Sequence, residues 1–371
     1  MESLTKHPLS ALPHVRALGR CAGRDPLTLF WTGSGMELLF TGSELWVEFN
    51  ADYSGMEPWV SVELDGVCIS RFAVNPGASR VCLFRGMAPG RAKHLRLRKD
   101  TQPIPNDPDN LLQITALDYA GGEFLPLPEP QYRLEFVGDS ITSGEGAIGA
   151  TCEDDWVGAF FSAQNNYARM TADALNAEYR VVSQCGWGIV TEWNNNPHHA
   201  IPPYYTRVCG VAPGSRNAAL GAQDPYDFAA WKADAVIINL GTNDDGAFGQ
   251  PAWTDPDTGE TFKLRTLPNG DYHPQDAARI ADAVQDFLTL VRRCNPDAAI
   301  VWVYGMLGLR LIPVLEQGFA QYRAASSDAN VHLLTLPETT PATVGARQHP
   351  GIAAHRAAAD VLAQFLRSIL A

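Results

Sequence analysis

The chain has 371 residues, 46% of them apolar and 19% charged, with a formal net charge of −13. This length exceeds one average domain and suits two, no apolar run is long enough to span a bilayer, and the acidic balance argues against a nucleic-acid partner, which needs clustered Lys and Arg. Seven cysteines are scattered without a C-x-x-C, which fits reduced thiols better than a disulfide framework or a zinc ribbon.

The opening segment, "MESLTKHPLSALPHV", lacks the basic start and apolar core of a secretory signal, so a cytoplasmic location is expected. Residues 1–125 then read as β-rich. Runs such as "MELLFTGSELWVEFNA" and "PWVSVELDGVCISRFAV" alternate apolar and polar positions, with turn signals "TGS", "LDG", "NPG" and "APG" between runs. Many short strands with frequent turns predict a β-sandwich of the jelly-roll kind. The proline-rich stretch 126–132 reads as a linker.

From residue 133 the texture changes. Buried-type strands are predicted at 133–138, 179–184, 235–241, 299–305 and 331–336, and helices at 165–177, 275–294, 312–325 and 351–370. Near-continuous apolar strands separated by helices predict about five parallel strands covered on both faces, a three-layer α/β/α domain over 133–371. In such sheets the ligand crevice lies beyond the carboxyl ends of the strands. Ser140, Gly186 and Asn243 each follow a predicted strand. Long insertions at 187–232 and 244–274 interrupt the pattern and read as functional loops.

The segment "RLEFVGDSITSGEGAIG" admits two readings. Its "GEGAIG" satisfies G-x-G-x-x-G, but a dinucleotide fingerprint turns directly off its strand, and here "DSITS" intervenes. The alternative makes Ser140 a nucleophile lifted to the sheet edge by the turn after the strand, although Asp-Ser at such a place also suits a helix N-cap. Acyl transfer further needs a base and donors for the developing oxyanion. Gly186, in "QCGWGI", leaves a backbone N–H free to approach a substrate oxygen. Asn243, in "INLGTNDD", offers a side-chain amide. His349, in "RQHPGI", stands before a rigid turn and suits a base, whereas His355 lies within the following helix and reads as a packing or solvated residue.

These four blocks, in this order, resemble those of the GDSL, or SGNH, hydrolases: Gly138-Asp139-Ser140, Gly186, Gly241-Thr242-Asn243-Asp244 and His349. With the β-rich leader and "EFVGDSITSGEG", the chain looks like carbohydrate esterase family 2, whose members remove acetyl groups from xylan and mannan. The resemblance implies a Ser140–His349 mechanism, an oxyanion hole of Ser140, Gly186 and Asn243, and neither metal nor cofactor. Asp139, Trp187 and Trp193 are expected to touch the substrate, an acetylated oligosaccharide. In one departure, Ala346 stands where the superfamily has an aspartate three residues before the histidine, so a backbone carbonyl of Ala346 or Arg347 is expected to hold the imidazole. A carbohydrate-binding protein with a degenerate hydrolase half, and an esterase for other esters, are the rival readings. No sequence feature sets an oligomeric state.

Overall fold

The structure is a computed structural model and describes residues 3–370. In the strand Glu44–Asp52, Leu45, Val47, Phe49 and Ala51 are buried while the residues between them are half-exposed, the two-residue alternation of a strand with one face on a core. It pairs in an antiparallel sheet with Gly77–Arg85 and Leu111–Tyr119, and the latter also pairs with Thr5–His7 and Leu27–Thr28. A second antiparallel sheet holds Arg16–Leu18, Gly35–Phe40, Trp59–Leu64, Val67–Ala73, Lys93–Lys99 and Phe124–Leu125. Leu38, Phe40, Val60, Val62, Leu95 and Leu97 of the second sheet share one buried core with the inward residues of the first. The two sheets therefore form a sandwich.

The compact unit built on this sandwich runs to Pro130 and takes in two later segments, Asp155–Gln164 and Arg207–Tyr226. Sequence alone assigns both segments to the second domain; the division is instead discontinuous. Buried polar groups of the sandwich find their partners there. Trp31 Nε1 donates to Val208 O at 2.7 Å, and Asp100 Oδ1 accepts from the Ala163 N–H at 2.9 Å, as buried polar atoms require.

The second unit is an α/β domain around five parallel strands: β1 (Tyr132–Gly138), β2 (Ala177–Ser183), β3 (Ala235–Asn239), β4 (Ala299–Tyr304) and β5 (Val331–Thr335). Their order in the sheet is β2-β1-β3-β4-β5. The helices are α1 (Ser140–Ser143), α2 (Tyr167–Ala174), α3 (Thr242–Ala247), α4 (Pro274–Cys294), α5 (Ile312–Ala325) and α6 (Ile352–Ile369). Every residue of β3 and β4 is buried, which explains their unbroken apolar runs. On α6 the buried set is Ala354, His355, Ala358, Ala359, Leu362, Ala363 and Leu366, a helical stripe of mostly small residues packed on the sheet. Register aligns the strand ends, with Gly138 opposite both Ser183 and Asn239. The segments following β1, β2 and β3 therefore leave the sheet at one level. The chain after β1 goes to one side and after β2 crosses to the other, so this level is a topological switch point, where crevices form in open sheets.

Candidate active site

Ser140 is the first residue of α1, two residues beyond the end of β1. Asp139 caps the helix: its Oδ1 accepts from the Ile141 N–H at 3.0 Å. His349 Nε2 stands 2.9 Å from Ser140 Oγ, and Nδ1 stands 2.8 Å from Arg347 O. A carbonyl only accepts, so Nδ1 carries the proton and Nε2 presents its lone pair to the hydroxyl. Of the two carbonyls in question, that of Arg347 takes the ring. That of Ala346 accepts the His349 N–H at 3.0 Å.

The Gly186 segment is held by Asp244, which sequence reads as the last residue of the Gly241-Thr242-Asn243-Asp244 block and to which it assigns no role of its own. Asp244 accepts from the Ile189 N–H at 2.7 Å and the Val190 N–H at 2.8 Å. Burial pushes its carboxyl up to about 6 despite these donors. The clue in sequence is Gly188: a Cβ there would lie 2.2 Å from Asp244 Oδ2. Among the described residues none accepts from the Gly186 N–H. Asn243 Nδ2 donates to Asp139 Oδ2 at 3.2 Å and to Trp187 O at 3.1 Å, which ties α3 to the turn before Ser140. Both amide hydrogens are thus engaged, and donation to a third oxygen requires releasing one of them.

Two expected substrate contacts are corrected. Asp139 is fully buried and serves as cap and acceptor; burial, with the charges of Asp244 and Glu145, pushes its carboxyl up to about 7. Trp187 is 3% exposed, its ring stacked on His199 and tilted against Tyr204, so no face is free for a sugar. Trp193 is 47% exposed, and its Cδ1 lies 3.2 Å from the place of a Cβ on Gly186. His199 Nδ1 lies 2.7 Å from Glu192 Oε2 and His198 pairs with Asp255. The "GEGAIG" segment forms no phosphate cradle, because the N–H groups of Gly144, Glu145 and Ala147 donate to the carbonyls of Ile141, Ser140 and Gly144.

Residues 134–362 match the GDSL-like lipase/acylhydrolase family. The chain belongs to that family. Within it, the chain is 42% identical, over 100% of its length and 99% of the other's, to the solved acetyl xylan esterase Est2A of the rumen bacterium Butyrivibrio proteoclasticus, with a TM-score of 0.98. A family two carbohydrate esterase from Clostridium thermocellum, solved in complex with cellohexaose, is 26% identical over 96% of this chain and 99% of that one, with a TM-score of 0.78. The cellulase/esterase CelE of Acetivibrio thermocellus is 28% identical over 92% of this chain, which spans 37% of CelE's length. Carbohydrate esterases of family 2 are thus among the structural neighbours of this GDSL-family chain.

Proposed function

We propose that this GDSL-family chain is an O-acetyl esterase that deacetylates acetylated xylo- and manno-oligosaccharides through a Ser-His acyl-enzyme mechanism. The observation that carries the reading is the relay from Ser140 Oγ to His349 Nε2 at 2.9 Å and from Nδ1 to Arg347 O at 2.8 Å. It supplies a nucleophile, its base and a fixed tautomer without an aspartate. The likeness to Est2A supports the acetyl group as the one removed and xylan as the substrate class.

In the first half-reaction His349 takes the Ser140 proton as Oγ attacks the acetyl carbonyl. The oxyanion is met by the Ser140 N–H, the Gly186 N–H and the Asn243 amide. Asn243 turns one hydrogen from Asp139 Oδ2 or Trp187 O as the charge develops. His349 then protonates the departing sugar oxygen. Water repeats the sequence on the acetyl-serine: His349 takes a proton from water, hydroxide adds to the carbonyl, and acetic acid leaves as His349 returns the proton to Oγ, ionising to acetate in solution. Serine, histidine and water complete every step, so no metal or cofactor is required. The exposed ring of Trp193 offers an apolar face against which a pyranose can stack. Seven cysteines outside any disulfide support a reducing compartment, in which the substrates would be imported oligosaccharides.

The test is acetate release from defined acetylated xylo- and manno-oligosaccharides. Wild-type protein is expected to release acetate and Ser140→Ala protein to release none; a near-normal rate in the variant overturns the mechanism.

A further inference from the structure

The glycine-rich segment after Ser140 seats the turn that carries His349. Gly146 O accepts from the Ala346 N–H at 3.0 Å. A Cβ on Gly146 would lie 2.2 Å from Ala346 O and 2.7 Å from His349 Cβ, and one on Gly345 would lie 2.1 Å from Gly146 O. The two segments are therefore in backbone contact that only glycines permit.

Glu145 projects from this seat with 4% of its side chain exposed. Its Oε1 accepts from Arg347 Nε at 2.6 Å, and its Oε2 lies 3.8 Å from His349 Nε2. Arg347 is tied twice more, by its N–H to Glu153 O at 2.7 Å and by Nη1 to Asp154 O at 2.5 Å. It has a φ of +53°, a left-handed conformation that a residue with a Cβ keeps only when its surroundings impose it. That conformation accompanies the turn in which its carbonyl reaches Nδ1 of His349. The other titratable groups facing this cluster are Asp139, beside Ser140; Cys185, whose thiol lies against Glu145 and is pushed well up by burial and by that carboxylate; and His355 on α6, a buried histidine whose Nδ1 accepts the Tyr167 N–H.

We propose that Glu145 is a positioning residue for His349 and does the work that an aspartate three residues before the histidine does elsewhere in the superfamily. One oxygen fixes Arg347, so that its carbonyl stays on Nδ1; the other places negative charge beside the imidazolium that forms during attack. The inference rests on the ester-hydrolase reading and adds to it the source of the histidine's orientation.

The test compares Glu145→Gln, Glu145→Asp, Arg347→Ala and Arg347→Lys with wild type, reading kcat, KM and the acid limb of the kcat/KM pH profile on an acetylated oligosaccharide. Glu145→Gln keeps an acceptor for Arg347 and loses the charge. It should lower kcat about tenfold with KM unchanged, one hydrogen-bonded charge being lost from the transition state, and move the acid limb to lower pH. Glu145→Asp keeps the charge and should leave the limb in place. Arg347→Ala removes the tether and leaves Glu145 unneutralised. It should cost about 10²-fold in kcat, the scale of a small displacement of a reacting group, and move the limb to higher pH, with partial recovery in Arg347→Lys. A purely structural contact would lower melting temperature without moving the acid limb. Wild-type kcat and an unmoved limb in Glu145→Gln overturn the inference. If wild-type protein releases no acetate, the ester-hydrolase reading fails. The His349 Hε1 resonance, followed across pH in wild type and Glu145→Gln, then decides the Glu145 role alone, and coincident titrations overturn it.

Discussion

A serine hydroxyl becomes a nucleophile through what is bonded to it, and at Ser140 that partner is an imidazole whose far nitrogen is already committed to a carbonyl. Replacing His349 by Ala removes the base and should reduce acetate release to the level of Ser140→Ala, with melting temperature little changed because the ring is part-exposed. Asn243→Ala should lower kcat by about 10²–10³, the loss seen for a single oxyanion donor. A loss below tenfold would assign the amide to its resting bonds with Asp139 and Trp187 alone. Sequence brought Ser140, Gly186, Asn243 and His349 forward as candidates because a nucleophile, base and donors must come as particular residue types at strand ends, and the structure sets Ser140 and His349 within hydrogen-bond distance. It did not make Asp139 legible as a cap and not a substrate contact, although "Gly-Asp-Ser" carries both meanings. Nor could it choose between the Ala346 and Arg347 carbonyls, since backbone acceptors have no residue type.

At the scale of elements, the loop after β2 depends on one carboxylate. Asp244 receives the Ile189 and Val190 N–H groups, and the loop passes close enough that Gly188 has no room for a Cβ. Gly188→Ala should therefore destabilise the fold by about 1–3 kcal/mol, as overpacking does, and lower kcat/KM as well, because Gly186 moves with the loop. Chemical denaturation and steady-state kinetics on the same preparation read both effects. The strands and long helices were legible nearly to their ends, since an apolar run or a 3.6-residue stripe is a local signal. The exception is instructive. Trp187 looked like a platform because it follows Gly186, but its ring is covered by His199 and Tyr204 from farther along the same insertion, a folding of loop on itself that no periodicity announces.

At the scale of the molecule, buried titratable groups set how stability answers to pH. Burial raises Asp139 to about 7 and Asp244 to about 6. In the fold they hold protons that an unfolded chain releases near pH 4. Their contribution is present below that pH and is lost as pH rises through about 6 to 7. His355 is pushed down to about 3 by burial, with the charge of His349 adding to it. Its contribution has the opposite sign, present above about pH 6.5 and lost on acidification toward 3. Asp139→Asn keeps an acceptor oxygen and has no proton to lose. The fall in melting temperature between pH 5 and pH 7.5 should be smaller in that variant than in wild type, by an amount equivalent to at most about 4 kcal/mol. Equal falls would mean that the carboxyl is ionised throughout.

The two-part organisation was legible from the change of texture near residue 130, but its interleaving was not. Residues 155–164 and 207–226 have no strand alternation to mark them as belonging with the sandwich, and the bonds from Trp31 to Val208 and from Asp100 to Ala163 span far more chain than a local pattern can report. A recombination event cutting at the proline-rich stretch would split the sandwich unit, two of whose segments lie downstream. The downstream fragment would carry Val208, Val211, Ala212 and Ala222, apolar residues buried in the whole protein, with nothing to cover them, and the upstream fragment would lose their cover in turn. The two halves are bound to travel through evolution as one gene segment, and any swap of the sandwich for another module must replace three stretches of sequence at once.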